Sequence, residues 1–268
     1  MSMFVDKLPI SAIIVGYNEA RFLPACLQGL SFCAEVLYYD LGSSDNSCEI
    51  ANQFGAIVIH HERVLSCEWI HAKFAKSTKY EWILISDPDE VIDSFLAKDI
   101  YQIFSKSISD DVGAFLVPWI FYFKHQKLSG TAWGGVNKRV LIAHNQRFNF
   151  TADIHIGRHL NAGFRYEEIK FEKSNFIHHY WMQSYYKLFE KHLRYLNNEG
   201  TARYKIGLRT SLKTIIKEPI VQFRYSFFVR KGYRDGIVGL FLSFFWAWYQ
   251  TSALISLYRH TISHSKNH

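Results

Sequence analysis

Three apolar runs in the first third of the chain each end in a knot of polar residues, and this pattern constrains the fold more than any other feature. Residues 10–15 (ISAIIV) lead into Gly16-Tyr17-Asn18-Glu19, residues 36–39 into Asp40-Leu41-Gly42-Ser43-Ser44-Asp45, and residues 82–85 into Ser86-Asp87-Pro88-Asp89-Glu90. A continuous run of β-branched and apolar residues reads as a strand covered on both faces, which is how strands of a parallel sheet are buried. Helical spacing fills the gaps. Phe22, Cys26, Leu27 and Leu30 share one face of residues 19–30, with Pro24 tolerated only near the first turn. Residues 44–54 form a second helix opened by Ser/Asp capping chemistry, 56–59 a strand, and 72–78 a short helix. Alternation at these lengths predicts an α/β fold, a mostly parallel sheet with helices on both faces. Ligands of such sheets sit beyond the carboxyl ends of the strands, so the three polar knots are the candidate site. Any one of them taken alone could be an ordinary cap or turn.

Beyond Asp93 the pattern loosens into a helix over 96–108, a strand over 114–117 and short mixed elements to about residue 176. Tyr185, Leu188, Phe189, His192, Leu193 and Leu196 then share a helical face within 180–198, and Gly200 reads as its stop. Charge divides the chain more sharply than hydropathy does. Residues 1–202 hold 20 Lys+Arg against 22 Asp+Glu, and residues 203–268 hold 11 against 2, so the net +7 arises entirely from the last quarter. We therefore expect a main domain over 1–202, in two halves at about 8–93 and 94–202, followed by a basic helical tail over 203–268. In that tail residues 215–233 interleave Lys217, Arg224, Arg230 and Lys231 with Ile, Val, Phe and Tyr, the composition of an interfacial anchor on anionic lipid. Residues 236–258 carry no Lys, Arg, Asp or Glu, but Gln250, Thr251 and serines interrupt them, which favours amphipathic helices over a membrane span. The competing expectation is that these aromatics pack on the main domain or on a second subunit. No nucleic-acid partner is expected, because no recognised RNA or DNA module accompanies the basic residues. The 4 cysteines form no CxxC pair and the first apolar run is too short for a signal peptide, so reduced thiols and a cytoplasmic location are expected.

Asp87, Asp89 and Glu90 crowd three carboxylates at the end of a buried strand, where their repulsion calls for a compensating cation. Oxygen-only ligands favour Mg²⁺ or Mn²⁺, and such an ion beside a nucleotide suits a diphosphate leaving group. Neither GxGxxG nor GxxxxGK[ST] occurs, which disfavours dinucleotide cofactors and P-loop hydrolysis.

The segments IIVGYNEARFLPACLQGL, VLYYDLGSSDNSCEIANQFGA and WILISDPDEVID resemble, in order and spacing, family-two glycosyltransferases of the GT-A fold, and within them the bacterial transferases of lipopolysaccharide core and surface glycans. WGGVNKRVLI, FIHHYWMQSYYKLFEKHLRYLNNEG and FVRKGYRDGIVGLFLSFFWAWY extend the resemblance over most of the chain. The resemblance implies that Tyr17, Asn18 and Glu19 meet the nucleotide, that Asp40 recognises the base, and that Asp45 helps hold the nucleoside. It also implies that Asp87 and Asp89 are the DxD pair bridging ribose and metal diphosphate, and that His179 approaches the metal or diphosphate. Relatives commonly carry a His-Glu pair where this chain reads Asp153-Ile154-His155-Ile156. That leaves Asp153 as the first candidate for the catalytic base, His155 as the second, and Glu167 or Glu168 in reserve; the alternative is a turn residue beside a structural histidine. The expectation is a metal-dependent, inverting hexosyltransferase, peripheral on the inner face of the cytoplasmic membrane. Its donor is a nucleotide diphosphate sugar, with a UDP-sugar foremost, and its acceptor a saccharide or lipid-linked glycan of the bacterial surface. A non-catalytic sugar-nucleotide-binding subunit and a nucleotidyltransferase are the competing readings.

Overall fold

The computed structural model describes residues 6–64, 66–151, 158–172 and 174–265. In chain order the elements are β1 (Leu8–Gly16), α1 (Leu23–Gly29), β2 (Cys33–Asp40), α2 (Ser47–Gln53), β3 (Ile57–His60), α3 (Cys67–Phe74), β4 (Trp82–Ser86), β5 (Glu90–Ile92) and α4 (Ser94–Phe104). They continue with β6 (Val112–Phe123), β7 (Gln126–Lys127), β8 (Asn137–His144), β9 (Phe148–Phe150), β10 (Arg158–Leu160), β11 (Arg165–Glu168) and β12 (Ile177–Met182). Three long helices follow, α5 (Tyr185–Lys205), α6 (Leu212–Arg224) and α7 (Gly236–Ser265). The chain divides into two compact units, residues 1–119 with 137–179, and residues 120–136 with 180–268.

The first unit is built on a mixed sheet of order β3-β2-β1-β4-β8-β6-β12-β5. Its first four strands are parallel, and β8 then runs antiparallel to both β4 and β6. Along β1, Ile10, Ala12 and Ile14 join the core on one face with Leu23, Leu27, Leu30, Leu96 and Ile100, while Ile13 and Val15 join the opposite one with Ile70, Ile83 and Phe148. Burial on both faces is why the run shows no alternation, and each such aliphatic side chain contributes about 1.5–3 kcal/mol. The register brings Gly16 beside Asp40, Ile14 beside Ser86, and Asp40 beside His60, so the carboxyl ends of four strands form one edge. Gly16 has to be glycine here, since a Cβ would lie 2.6 Å from the Tyr38 hydroxyl oxygen.

Within this unit α1 starts later than its apolar spacing suggests, and Pro24 occupies its first turn as expected. The helix expected over 72–78 is displaced toward the N-terminus: α3 buries Ile70 and His71, and residues 75–77 are a 3₁₀ turn. Asp93 caps α4 by accepting from the Phe95 N–H at 2.9 Å.

The second unit differs from expectation at two points. Residues 180–182 close strand β12, and α5 begins only after Ser184, whose side chain accepts from the Lys187 N–H and caps the helix. Gly200 lies inside α5 and does not end it. A Cβ there would come 2.2 Å from Ser256 Oγ, so its role is the close approach of α5 to α7. This unit's core is Phe123, Leu128, Trp181, Met182, Leu188, Leu242 and Phe245, ringed by Trp133, Tyr185 and Phe241; it takes in Phe241 and Phe245 of the tail's aromatics, while Tyr225, Phe228, Tyr233, Phe244 and Trp248 stay exposed. Asp235 is buried and accepts from the Ser129 and Gly130 N–H groups at 2.7 and 2.8 Å, tying the 129–130 loop to the start of α7.

Candidate active site

The loops after β1 and β2 are laced together by side-chain to backbone hydrogen bonds. Asn18 adopts a left-handed conformation with φ 56°, donates its N–H to Ser43 Oγ at 2.9 Å and accepts from the Ser44 N–H through Oδ1 at 2.8 Å. Left-handed backbone is tolerated better by asparagine than by most residues, which is why a non-glycine can stand there. The Glu19 N–H donates to Ser47 Oγ at 2.8 Å, and the Ala20 N–H to Asp45 Oδ2 at 3.1 Å. Asp45 also accepts from the Ser47 N–H and hydroxyl. Desolvation opposes its charge, but these donors outweigh it and hold the carboxyl below its ordinary range. Asp45 is therefore a brace between two loops whatever it does for a ligand. Tyr17 remains exposed, and the Arg63 guanidinium sits 3.9 Å from its ring centroid.

Asp40 closes β2 and is 2% exposed. Its oxygens accept from the Gly42 N–H at 3.2 Å and the Ser43 N–H at 3.1 Å, and His60 Nδ1 lies 3.2 Å away. Burial works against its charge, yet the hydrogen bonds from Ser43, His60 and Gly42 keep its pKa low.

After β4 the chain turns sharply: the Glu90 N–H donates to the Asp87 carbonyl at 3.0 Å, and the Asp87 N–H to Glu90 Oε2 at 2.9 Å. The three carboxylates do not converge as their spacing suggests. Glu90 is fully buried and points inward, ion-paired with Arg139 of β8, whose guanidinium also donates to the Ile85 carbonyl at 3.0 Å. Burial pushes the Glu90 pKa up against the pull of Arg139; the arginine, although desolvated, is held protonated by Glu90, Asp87 and Asp89. The cation that compensates Glu90 is thus part of the protein. Asp87 and Asp89, both half-buried, stay outside that ion pair. Two hard oxygen donors on a rigid turn suit Mg²⁺ or Mn²⁺, which retain water and phosphate ligands.

His179 is carried to this turn by β12, paired antiparallel with β5 so that His179 stands opposite Glu90. Its Nε2 lies 3.6 Å from Asp89 Oδ2, and its ring stacks on Trp119 at 4.8 Å, over which Arg139 also sits. His178 instead faces Asp93 at 3.2 Å. Asp153 and His155 lie outside the described residues. Of the reserve carboxylates, Glu167 pairs with Arg165 and Glu168 with Lys138 at 2.8 Å, both on the β11 edge.

Sequence reasoning gave no role to Arg139, although it stands in the WGGVNKRVLI segment, and passed over Trp119 and His71 of α3, which is 2% exposed and accepts at Nδ1 from Arg158 at 2.6 Å. Burial first, then Arg158 and Arg139, hold His71 neutral, with its pKa well below the ordinary value. One turn before it, Cys67 has its thiol pushed up to about 12 by burial and by the charge of Asp87.

No protein-family profile matches the chain. Two curated relatives are bacterial. The lipopolysaccharide core biosynthesis glycosyltransferase LpsC of Rhizobium meliloti is 36% identical over 50 residues, 19% of this chain and 18% of that protein. An uncharacterised glycosyltransferase of Rickettsia felis is 24% identical over 96% of this chain and 92% of its own length. Among solved structures, glucosyl-3-phosphoglycerate synthase from Mycobacterium tuberculosis, in complex with Mn²⁺, UDP and glucosyl-3-phosphoglycerate, matches at 16% identity and TM-score 0.34 over 43% of this chain and 44% of that one. A mannosyltransferase from Pyrobaculum calidifontis, in complex with GDP-mannose and Mn²⁺, matches at 18% identity and TM-score 0.33 over 41% of this chain and 35% of that one. The chain, an α/β protein with an acidic turn at the carboxyl edge of its sheet, is similar over nearly its whole length to bacterial proteins named as glycosyltransferases.

Proposed function

We propose that the protein is an inverting, metal-dependent glycosyltransferase that moves a hexosyl group from a nucleotide diphosphate sugar, with a UDP-sugar foremost, to a saccharide or lipid-linked acceptor of bacterial surface glycan. The observation that carries this reading is the common edge formed by the ends of β1, β2 and β4, where Tyr17, Asn18, Glu19 and Asp40 stand beside the Asp87–Asp89 turn. Asp40 is prepared to accept an N–H of a base, being ionised and already oriented by two backbone amides. Asp87 and Asp89, with His179 alongside, would hold Mg²⁺ or Mn²⁺, which when bound would neutralise charge on a departing diphosphate. Glu90 and Arg139 hold that turn in place, and Trp119 fixes the plane of the His179 ring. Inversion requires a base on the acceptor hydroxyl, a role we assign on sequence alone to Asp153 and after it to His155. The work divides into a nucleotide half over about 8–93, an acceptor half over 94–202 and the tail over 203–268.

The tail supports a peripheral location on the inner face of the cytoplasmic membrane. No residue of α6 is buried: Leu212, Ile216 and Ile220 are 57, 75 and 67% exposed, flanked by Lys213, Lys217 and Arg224. Phe228, Val229, Ile237 and Phe244 continue the exposed apolar surface, with Lys231 and Arg234 nearby. Apolar side chains framed by cations fit an anionic lipid interface, where both components of the surface are satisfied. Residues 232–262 are long and apolar enough to cross a bilayer, but Leu242, Phe245 and Tyr249 of α7 are buried within the second unit.

The test is sugar transfer from a panel of nucleotide sugars, with and without divalent metal. Asp89→Asn keeps the size of the side chain and removes one anionic ligand, so transfer should fall at least ten-fold, about 1.4 kcal/mol of barrier. Mn²⁺ or Mg²⁺ should restore chelated wild type but not the variant. Full activity in excess chelator would refute the metal role, and pyrophosphate release from a nucleoside triphosphate would favour a nucleotidyltransferase.

A further inference from the structure

Asp40, Cys48 and His60 come from the end of β2, the first turn of α2 and the end of β3, and one ligand atom of each lies within 4.8 Å of the other two. We propose that these three side chains form a binding site for zinc, and that zinc bound there excludes the nucleotide from Asp40. The exclusion rests on the nucleotide reading above; the metal site does not.

The donor set determines the kind of ion. Thiolate, imidazole and carboxylate together suit a borderline-soft cation and serve Mg²⁺ poorly, the reverse of the oxygen-only Asp87–Asp89 turn. The spacing agrees. Two ligands at tetrahedral zinc stand about 3.3 Å apart when each bond is about 2.0 Å, and His60 Nδ1 is 3.2 Å from Asp40 Oδ2. Asp40 is already fixed by the Gly42 and Ser43 amides, so one ligand is oriented before metal arrives. His60 has a side chain 76% exposed and can close on the ion from the rim. Cys48 is half-buried and, as the Zn–S bond forms, gives its proton to solvent; His60 binds as the neutral ring. The charges of one thiolate, one carboxylate and Zn²⁺ then sum to zero, and a water takes the fourth position. Asp40 cannot serve that ion and a base N–H with the same oxygens, so the two ligands compete.

Co²⁺ binding to the purified full chain provides a readout independent of catalysis, because a thiolate ligand produces a charge-transfer absorption band that oxygen and nitrogen ligands do not. The expected result is one band-forming Co²⁺ per chain, displaced by Zn²⁺, lost in Cys48→Ser and weakened at least ten-fold in His60→Ala, whose exposed position leaves the fold intact. Asp89→Asn should leave the band unchanged. UDP titrated by calorimetry in Mg²⁺ should lose at least ten-fold in affinity when Zn²⁺ saturates wild type, and keep its affinity in Cys48→Ser. No thiolate band, or a band that survives Cys48→Ser, overturns the site. A normal band with UDP binding indifferent to Zn²⁺ leaves the metal site standing and overturns the exclusion, together with the placement of a base at Asp40.

Discussion

Arg139 spans Glu90 and the Ile85 carbonyl beneath the acidic turn, so its removal strands a fully buried carboxylate. Arg139→Met should cost about 3–5 kcal/mol in urea unfolding, because an unpaired buried charge is far costlier than a missing pair. The double variant Arg139→Met/Glu90→Gln should recover part of that loss. In the single variant Glu90 will be protonated when folded, with a pKa above its unfolded value, so the deficit should shrink as pH falls toward the ordinary glutamate range. His71 predicts the opposite trend. Its folded pKa is depressed, chiefly by burial, so the stability it contributes is present above about pH 6.5 and is lost as pH drops below that. His144 and His192 are depressed in the same direction, also chiefly by burial. His71→Gln, which keeps an acceptor for Arg158, should flatten the fall in unfolding free energy between pH 7 and 5 by up to about 1.4 kcal/mol per pH unit. An unchanged slope would mean that this histidine is not held neutral.

At the scale of the element, α6 is the helix whose sequence and surroundings disagree most with life in water. Pro219 lies inside it and no residue of it is buried, yet Leu212, Ile216 and Ile220 line its outer side. A helix gains most of its stability from packing an apolar face, and this one has only part of a face against α7, where Gln222 accepts from the Trp246 indole N–H at 2.8 Å. Replacing Ile216 and Ile220 together by serine should therefore reduce co-sedimentation with vesicles containing anionic phosphatidylglycerol several-fold, while UDP affinity stays as in wild type. Raised salt should weaken wild-type binding as well, since the Debye length at physiological ionic strength is about 8 Å. Vesicle binding that is insensitive to both changes would point to a protein partner for α6.

For the whole molecule, donor binding should be visible as stability. A ligand that binds only the folded chain adds about 2.7 kcal/mol at a hundred times its Kd, so UDP should raise the unfolding temperature in the presence of Mn²⁺ and much less in its absence. In Asp87→Asn the metal-dependent part of that shift should vanish. Much of the carboxyl edge of the sheet was legible in the sequence because its signals are local. Doubly buried strands show as unbroken apolar runs, and a strand that ends at a ligand edge shows as a polar knot directly after it. Helix ends were less legible: Gly200 reads as a stop until Ser256, far along the chain, occupies the space a side chain would need. The same distance hid the support beneath the acidic turn, since Arg139 stands 49 residues after Glu90 and the WGGVNKRVLI segment that holds it does not reveal its partner. By itself the sequence determined the order of strands and helices up to β4, the acidic turn and the basic tail, which follow from spacing and composition along the chain; the strands from β5 to β12, part of β6 apart, it left as short mixed elements. Only the tertiary structure decided which carboxylate turns inward to an arginine and which two stay outside that pair, because that choice depends on a strand brought alongside from elsewhere and on the cost of burying a charge without a partner.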